Sequence, residues 1–154
     1  MTSRTAAITF PSIQFFQALA YRMNTAEVKY RAIGFMDLEM GIRVLADGPV
    51  KQPRLFTLTF EGYGCEKVRE AGAGEQPDMD FVLEGRYSAW KEMFENIQRN
   101  GKADTKHTLN HLTMLDDPLR AVGPDQSRID KLYRFNYSLQ MFLDEAVGVP
   151  TKYG

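Results

Sequence analysis

The sequence predicts a single α+β domain whose mostly antiparallel sheet carries its helices on one face. Two observations support this class: alternating apolar and polar residues form consecutive strand patterns between residues 36 and 63, and helical patterns stand near both ends of the chain. Helices segregated from a run of strands are typical of α+β proteins. At 154 residues, the chain is long enough to bury a core without disulfides. We expect one domain over residues 1–154, with a loose N-terminus at 1–8 and a C-terminal tail at 148–154.

The composition is that of an ordinary globular protein and excludes several classes of function. Apolar residues make up 44% and charged residues 25% of the chain, and a net charge of −1 gives no reason to expect a surface for nucleic acid. The single cysteine, Cys65, excludes an intramolecular disulfide and a cysteine-only metal site. Because the chain has no long apolar run, we expect neither a signal peptide nor a transmembrane helix, and a cytoplasmic location is the default.

A first helix is predicted to start at Phe10-Pro11-Ser12, since proline suits the first turn of a helix. Its apolar stripe has helical spacing and consists of Ile13, Phe16, Ala20 and Met23. A second helix, capped by Asn24 or Thr25, would run to Ile33 and end at Gly34. One bent helix fits the pattern of this segment equally well.

Two alternating runs then predict an antiparallel pair of strands. The first covers residues 36–44 and the second covers residues 55–63, with Asp47-Gly48 as the turn signal between them. Residues 65–70 either continue the second strand or form the next one, and the glycine-rich segment 71–77 is a predicted loop. Alternation of this kind indicates a sheet with one buried face.

The stretch of residues 79–100 changes from a strand pattern to a helix pattern. Phe81 and Leu83 alternate with polar residues, Gly85 is predicted to stop the strand, and Ser88 is predicted to cap the helix. The helix has one apolar stripe, formed by Trp90, Met93, Phe94 and Ile97. The Asn-Gly pair that follows predicts the end of the helix. A helix that directly follows a strand must fold its stripe back onto the sheet.

The last third of the chain predicts a short helix, a strand and a long helix. Residues 107–115 have a leucine at every third position, facing inward, and residues 119–122 form a short apolar run that we interpret as the last strand. The final helix would be capped by Asp125 or Ser127 and would span residues 126–146. Its apolar arc is wider than packing on one face of a sheet requires.

Three features could in principle carry chemistry, but each favours a structural interpretation. His107 and His111 share a helical face, and a third metal ligand would have to come from Asp116, Asp117 or elsewhere. Because the Glu-after-His signature of a metalloprotease is absent, we interpret the two histidines as solvent-facing or hydrogen-bonded. Cys65 has no neighbouring base in the sequence that would lower its pKa, so a buried structural thiol is expected. The Gly-x-Gly pairs at 62–64 and 72–74 lack the third glycine of a dinucleotide-binding loop.

The apolar stripes are rich in phenylalanine and methionine, with 10 Phe and 8 Met in the chain. Periodicity alone assigns such side chains to a core. Flexible thioethers and flat rings, together with the wide arc of the last helix, favour a deformable apolar cavity over a core of fixed shape.

Four segments of the second half of the chain resemble the sterol carrier protein 2-like family, in particular its small single-domain prokaryotic members. They are residues 81–91, residues 119–123 with Asp125, residues 133–135, and the closing Val-Pro-Thr-Lys-Tyr at 149–153. The order of strand, tryptophan-bearing helix, short strand, turn and long helix is also similar to that family. The first half of the chain matches it in element order only.

The resemblance implies a five-stranded mixed sheet with helices on one face and an apolar tunnel between the layers. It implies non-covalent binding of a lipid-like or other hydrophobic small molecule, such as a fatty acid, an acyl-CoA, a sterol or a terpenoid, with no catalytic residues, metal or other cofactor. Nine residues are predicted to line the tunnel: Phe16, Met23, Trp90, Met93, Phe94, Leu112, Phe135, Leu139 and Phe142.

The alternative is an enzyme that acts on a small apolar substrate in the same cavity. A carboxylate in apolar surroundings has a raised pKa and can serve as a general acid or base; the candidate residues are Asp80, Glu84, His111 and Asp117. A third interpretation is an accessory subunit of a larger enzyme. The expected partners are therefore a hydrophobic ligand and either a second copy of the chain or a partner enzyme, with no nucleic acid and no integral membrane segment.

Overall fold

The computed structural model describes residues 6–154. In that part of the chain, the strands are β1 (Ile8–Phe10), β2 (Met36–Leu45), β3 (Arg54–Gly62), β4 (Gly64–Glu70), β5 (Phe81–Arg86), β6 (Arg120–Val122) and β7 (Thr151–Tyr153). The helices are α1 (Ile13–Asn24), α2 (Glu27–Arg31), α3 (Tyr87–Asn100), α4 (Leu109–Thr113), α5 (Gln126–Ile129), α6 (Lys131–Arg134) and α7 (Asn136–Asp144), followed by a 3₁₀ turn at Glu145–Gly148.

The main sheet has five strands in the order β4-β3-β2-β5-β6. β2 pairs antiparallel with β3, with Met40 opposite Leu58, and it pairs parallel with β5, with Met40 opposite Phe81. The β3–β4 and β5–β6 pairs are antiparallel. The predicted α+β class and the predicted mixed, mostly antiparallel sheet of five strands are therefore confirmed.

The core lies between one face of this sheet and the helices. Along β2, alternate residues from Met36 to Val44 are at most 2% exposed, whereas Asp37 and Glu39 between them are exposed. The helices α1, α3 and α7 bury apolar residues at helical spacing, including Phe15, Leu19, Trp90, Phe94, Leu139 and Phe142. A strand period of two and a helical period of 3.6 thus meet on one face of the sheet.

β1 and β7 form a second, two-stranded sheet, so the prediction of a loose N-terminus is wrong at Ile8 and the prediction of a C-terminal tail is wrong at Thr151–Tyr153. These strands run parallel, with Phe10 opposite Tyr153. The reason is packing, because Phe10 is fully buried and Gln98 of α3 donates to the Thr151 hydroxyl at 2.8 Å and accepts from the Tyr153 hydroxyl at 2.6 Å. Residues 1–5 of the predicted loose segment lie outside the described part of the chain.

Two predicted helix caps are wrong, because the side chains or their neighbours make other hydrogen bonds. The side chain of Asn24 bridges to β4, where it donates to the Cys65 carbonyl at 2.9 Å and accepts from the Cys65 amide at 2.8 Å. Thr25, the other predicted cap of α2, donates back to carbonyls of α1. Ser88 lies inside α3, and its backbone N–H donates to the Asp47 carboxylate at 2.8 Å. Hydrogen bonds from Ser88 lower the pKa of Asp47 below its ordinary value.

Two predicted helices are too long. The helix predicted at 126–146 is divided into α5, α6, α7 and the 3₁₀ turn. Asp125 caps α5, as predicted, by accepting from a first-turn N–H at 2.9 Å. Phe135 breaks the segment before α7, since its φ of −106° and ψ of 15° leave the α-helical range. α4 is also shorter than predicted, and Leu115, expected to face inward, is 84% exposed. Apolar spacing continues across such breaks, so periodicity does not reveal them.

Replacing Gly85 with alanine is expected to lower the free energy of unfolding by about 1–3 kcal/mol, because overpacking a filled core forces its neighbours to move. A methyl group at this position of β5 would lie 2.4 Å from Leu119 Cδ2 and 3.1 Å from the carbonyl oxygen of Pro118. Urea denaturation measures the loss. Gly72→Ala is the matched control, because its methyl group would meet only a Glu75 carboxylate oxygen at 3.8 Å. An equal loss in both variants would contradict the steric argument.

Candidate ligand site between the sheet and the helices

An enclosed apolar space, which we call the interlayer gap, lies between the main sheet and α7. The spaces between its side chains are too narrow to admit a water molecule. Its eight walls are apolar side chains from β2, β3 and β5 on one side and from α4 and α7 on the other. They are Met40, Ile42, Leu58, Leu83, Leu109, Leu139, Phe142 and Leu143.

Two of the nine predicted lining residues, Leu139 and Phe142, form walls of this gap. Leu112 is 6% exposed and Phe135 is half-buried, and neither is a wall. Five others are fully buried elsewhere in the core: Phe16, Met23, Trp90, Met93 and Phe94. The nine predicted residues include none of the walls that the strands supply. The sequence contains a signal for these strand-side walls, because Met40, Ile42 and Leu58 occupy the apolar positions of the two alternating runs.

The predicted lining residues of α3 pack into an aromatic cluster. The Phe94 ring centroid lies 4.8 Å from that of Phe15 and 5.1 Å from that of Phe10, both in edge-to-face geometry, and Trp90 stacks on Phe94 at 6.3 Å. The indole N–H of Trp90 donates to the Arg43 carbonyl at 3.2 Å, which fixes the ring against β2. This part of the space between the layers is filled by protein rings.

The C-terminal cover, which comprises residues 126–144 and thus α5 to α7, closes the gap on the helical side. Asp80, 8% exposed, accepts from Arg128 Nε at 3.1 Å and from Lys131 Nζ at 3.3 Å. It is fixed to the sheet because it also accepts from the Glu39 N–H at 2.9 Å. Arg128 reaches Asp78 at 3.0 Å as well. We call Asp78, Asp80, Arg128 and Lys131 the Asp80 latch.

The surroundings of Asp80 keep this carboxylate ionised. Burial acts to raise the pKa of Asp80, but the Glu39 N–H and the cations of Arg128 and Lys131 together outweigh it and hold the pKa below its ordinary value. A lowered pKa means that these contacts stabilise the fold above the ordinary aspartate pKa. Their contribution is lost as the pH falls through the lowered value.

The far end of the C-terminal cover is anchored at Glu145, in the 3₁₀ turn after α7. This carboxylate is 4% exposed and accepts from the Tyr30 hydroxyl at 2.6 Å and from Lys29 Nζ at 2.8 Å, with Arg22 Nε at 3.3 Å. Burial and the bond to Glu145 raise the pKa of Tyr30 far above its ordinary value, so its hydroxyl remains a donor. The helices α1 and α2 thereby hold the C-terminal end of α7.

A larger concavity of about 720 Å³ lies on the opposite face of the main sheet, where Arg43 and Leu55 point away from the helices. The β2–β3 and β4–β5 loops form its sides. Arg54, in the wall of this concavity, donates two hydrogen bonds of 2.8 and 2.9 Å to the Glu70 carboxylate. Because charged groups and prolines line it, this cleft suits an apolar ligand less well than the interlayer gap does, despite its greater size.

Cys65 and the two histidines occupy structural positions. Cys65 is 3% exposed, and burial raises the pKa of its thiol to about 12, so the reactive thiolate is scarce at neutral pH. His107 Nδ1 lies 2.6 Å from the carboxylate of Asp104, and His111 is exposed. Within residues 6–154, no group of three or more His, Cys, Asp and Glu side chains comes close enough to hold a metal ion.

The candidate acid and base residues lie away from the interlayer gap. Asp80 belongs to the latch, and Glu84 pairs with Arg43 at 3.3 Å. His111 and Asp117 are exposed. None of these four candidates is a wall of the gap. The gap therefore lacks the group that would donate or accept a proton during a reaction.

Two solved structures share this fold. The crystal structure of sterol carrier protein 2 matches with a TM-score of 0.66 and 17% sequence identity, covering 88% of this chain and 95% of that chain. The solution structure of a conserved hypothetical protein from Thermus thermophilus, suggested to be a sterol carrier protein, matches with a TM-score of 0.66 and 14% identity, covering 99% of this chain and 97% of that chain. The resemblance to the sterol carrier protein 2 fold is thus confirmed over most of the chain.

No family model and no curated protein matches the sequence. In the described range 6–154, none of the helices has the length and apolar character needed to cross a membrane.

Proposed function

We propose that this protein binds a lipid-like or other hydrophobic small molecule between its main sheet and its C-terminal cover, without catalysing a reaction. The observation that carries the proposal is the interlayer gap, which is enclosed by eight apolar side chains and closed by a segmented stretch of helix. The solved structures with this fold are named as a sterol carrier protein and a suggested one. Their names support the same class of ligand here.

The gap must widen to accept such a ligand, because small-molecule sites typically have volumes of about 300–1,000 Å³. Its walls suit this change. Met40 has a flexible, unbranched side chain that adapts to different shapes. Phe142 packs edge-to-face on Phe60 with centroids 4.9 Å apart, a contact that a flat or linear apolar ligand replaces with similar contacts. The driving force is burial of apolar surface, worth about 25 cal/mol per Å².

The chemistry of the walls favours binding over catalysis, since the candidate acids and bases are held in ion pairs or lie at the surface. We further propose that the protein acts as a cytoplasmic carrier, either as a homodimer or together with a partner enzyme that receives its ligand. A series of apolar ligands of different shapes would distinguish loose from strict specificity. The adaptable walls support loose specificity.

Trp90 is the only tryptophan and makes ligand binding measurable. Protein freed of lipid by organic extraction and refolding is titrated with oleic acid, oleoyl-CoA and cholesterol. We expect at least one of them to change Trp90 emission and to raise the melting temperature, because a ligand at 100 times its Kd adds about 2.7 kcal/mol of stability. Native mass spectrometry is expected to show one ligand per chain.

Two matched leucine substitutions locate the site. Leu139→Phe places extra atoms in the gap, whereas Leu19→Phe adds the same atoms at a buried position of α1, outside both the gap and the C-terminal cover. We expect Leu139→Phe to weaken affinity by about tenfold or more, and Leu19→Phe to change it much less. Absence of any change in emission, melting temperature and mass with all three ligands would overturn the proposed function. Equal losses in both variants would place the site elsewhere.

A further inference from the structure

The two ends of the C-terminal cover are held in different ways. At its C-terminal end, Glu145 is almost fully buried and is held by Tyr30, Lys29 and Arg22. At its N-terminal end, α5 has no buried residue and α6 buries only Leu132. Ile129 and Phe135 are half-buried against the core, and the Asp80 latch adds the ion pairs of Arg128 and Lys131 with Asp80. The cover is thus held by a buried carboxylate at one end, and at the other end by ion pairs in which the cations are partly exposed.

The two sides of the latch are held in different ways. Asp80 makes two hydrogen bonds with Glu39 of β2. Its carboxylate accepts from the Glu39 N–H at 2.9 Å, and its own N–H donates to the Glu39 carbonyl at 2.7 Å. The side chains of Arg128 and Lys131 are 30% and 24% exposed. Ion pairs that water reaches are weakened by salt, whereas buried ones are screened much less.

The geometry of the segment links the latch to the gap. Phe135 interrupts the helix between α6 and α7, at the N-terminal end of the helix that carries three walls of the gap. Because Glu145 holds the other end of α7, we expect a motion of α5 and α6 away from the sheet to be greatest at the latch and to uncover the Leu139 side of the gap first.

We propose that the Asp80 latch gates ligand exchange: when Asp80 separates from Arg128 and Lys131, α5 and α6 leave the sheet and the interlayer gap opens at the N-terminal end of α7. The inference rests on the proposed function for the role of the gap, and it adds the contact that controls access to it. It also predicts that the rate of ligand exchange depends on salt, because raising ionic strength from about 0.05 M to about 0.5 M shortens the screening length severalfold.

Amide hydrogen exchange tests the latch without any ligand. Asp80→Asn removes the charge and keeps an oxygen that can accept from the Glu39 N–H. We expect amides of α6 and the first turn of α7 to exchange at least about tenfold faster in this variant, while amides of β2 and β3 keep their rates. Glu75→Gln is the matched control, because it breaks the Arg69–Glu75 ion pair on the surface, outside the C-terminal cover.

Ligand exchange is then measured with cis-parinaric acid, a fluorescent fatty acid, by stopped-flow displacement with oleic acid. We expect its dissociation to be at least about fivefold faster from Asp80→Asn than from the wild type or from Glu75→Gln. In the wild type, dissociation is expected to accelerate with salt, and in Asp80→Asn this dependence should be largely lost. Should Asp80→Asn fail to fold, the double variant Arg128→Gln/Lys131→Gln breaks the same pairs from the cover side.

Failure of the latch and failure of the proposed function give different results. Unchanged exchange of the C-terminal cover in the latch variants would overturn the gating proposal, even when the wild type binds the fluorescent fatty acid. Faster exchange over the whole chain would also overturn it, since the latch would then be a general stabilising contact. Absence of fatty-acid binding to the wild type would instead overturn the proposed function.

Discussion

Replacing Phe94 with alanine is expected to lower the free energy of unfolding by about 3–5 kcal/mol. Its ring is fully buried and contacts the rings of Phe10, Phe15 and Trp90 with centroids between 4.8 and 6.3 Å away. Truncation removes these contacts and leaves a void that the surrounding rings, each fixed by its own neighbours, fill only in part. Urea denaturation followed by circular dichroism at the helical band measures the loss.

Phe35→Ala is the control for this truncation, because the same side chain at that position is 60% exposed. Its expected cost is within about 0.5 kcal/mol. The comparison also decides between core and cavity for Phe94, which the sequence predicts to line a ligand tunnel. A side chain that borders an open cavity has few contacts to lose, so a cost near that of Phe35→Ala would favour the tunnel and contradict close packing at Phe94.

The strands are the part of the fold that the sequence predicts best. The alternating runs at 36–44 and 55–63 match β2 and β3 to within one residue at each end. They do so because one face of each strand is buried, which forces a period of two that no helix would tolerate. The parallel pairing of β2 with β5 has no such local signature. It joins strands about forty residues apart, and the family resemblance implied only that the sheet is mixed, not which strands pair in parallel.

The candidate site was less predictable, and the reason is physical. A stripe of Phe and Met residues has the same spacing whether it faces a filled core or an open space. The difference depends on the distance between the layers, which contacts such as Phe60 with Phe142 set across the fold. Phe94 meets the rings of Phe10 and Phe15 from other segments, whereas Leu139 borders the gap.

Polar contacts that hold the C-terminal cover have no local signal at all. Asp80 looks like the exposed position of an alternating strand, yet its partner Arg128 lies 48 residues further along the chain. Glu145 looks like a solvent-facing residue near the end of an amphipathic helix, yet its partner Tyr30 lies 115 residues earlier. Buried carboxylates of this kind are recognised only when the fold brings their partners together.

Replacing Glu145 with alanine is expected to lower the free energy of unfolding by about 3 kcal/mol. The change leaves the buried hydroxyl of Tyr30 without its acceptor and leaves Lys29 and Arg22 facing each other without a counter-charge. Because both cations are partly exposed, water relieves some of their repulsion, which places the expected loss at the lower end of the range for broken buried pairs. Thermal and urea unfolding monitored by Trp90 fluorescence measure the loss.

Glu27→Ala is the matched control, since Glu27 pairs with Arg31 on the surface of α2 with both side chains more than half exposed; its expected cost is about 0.5 kcal/mol or less. Tyr30→Phe isolates the hydroxyl and is expected to cost about 1.5–3 kcal/mol, as for a hydrogen bond to a charged acceptor. In the double variant of Tyr30 and Glu145, the combined loss should fall short of the sum of the two single losses, because both changes remove the same bond. Full additivity would show that Glu145 anchors α7 through its cations rather than through Tyr30.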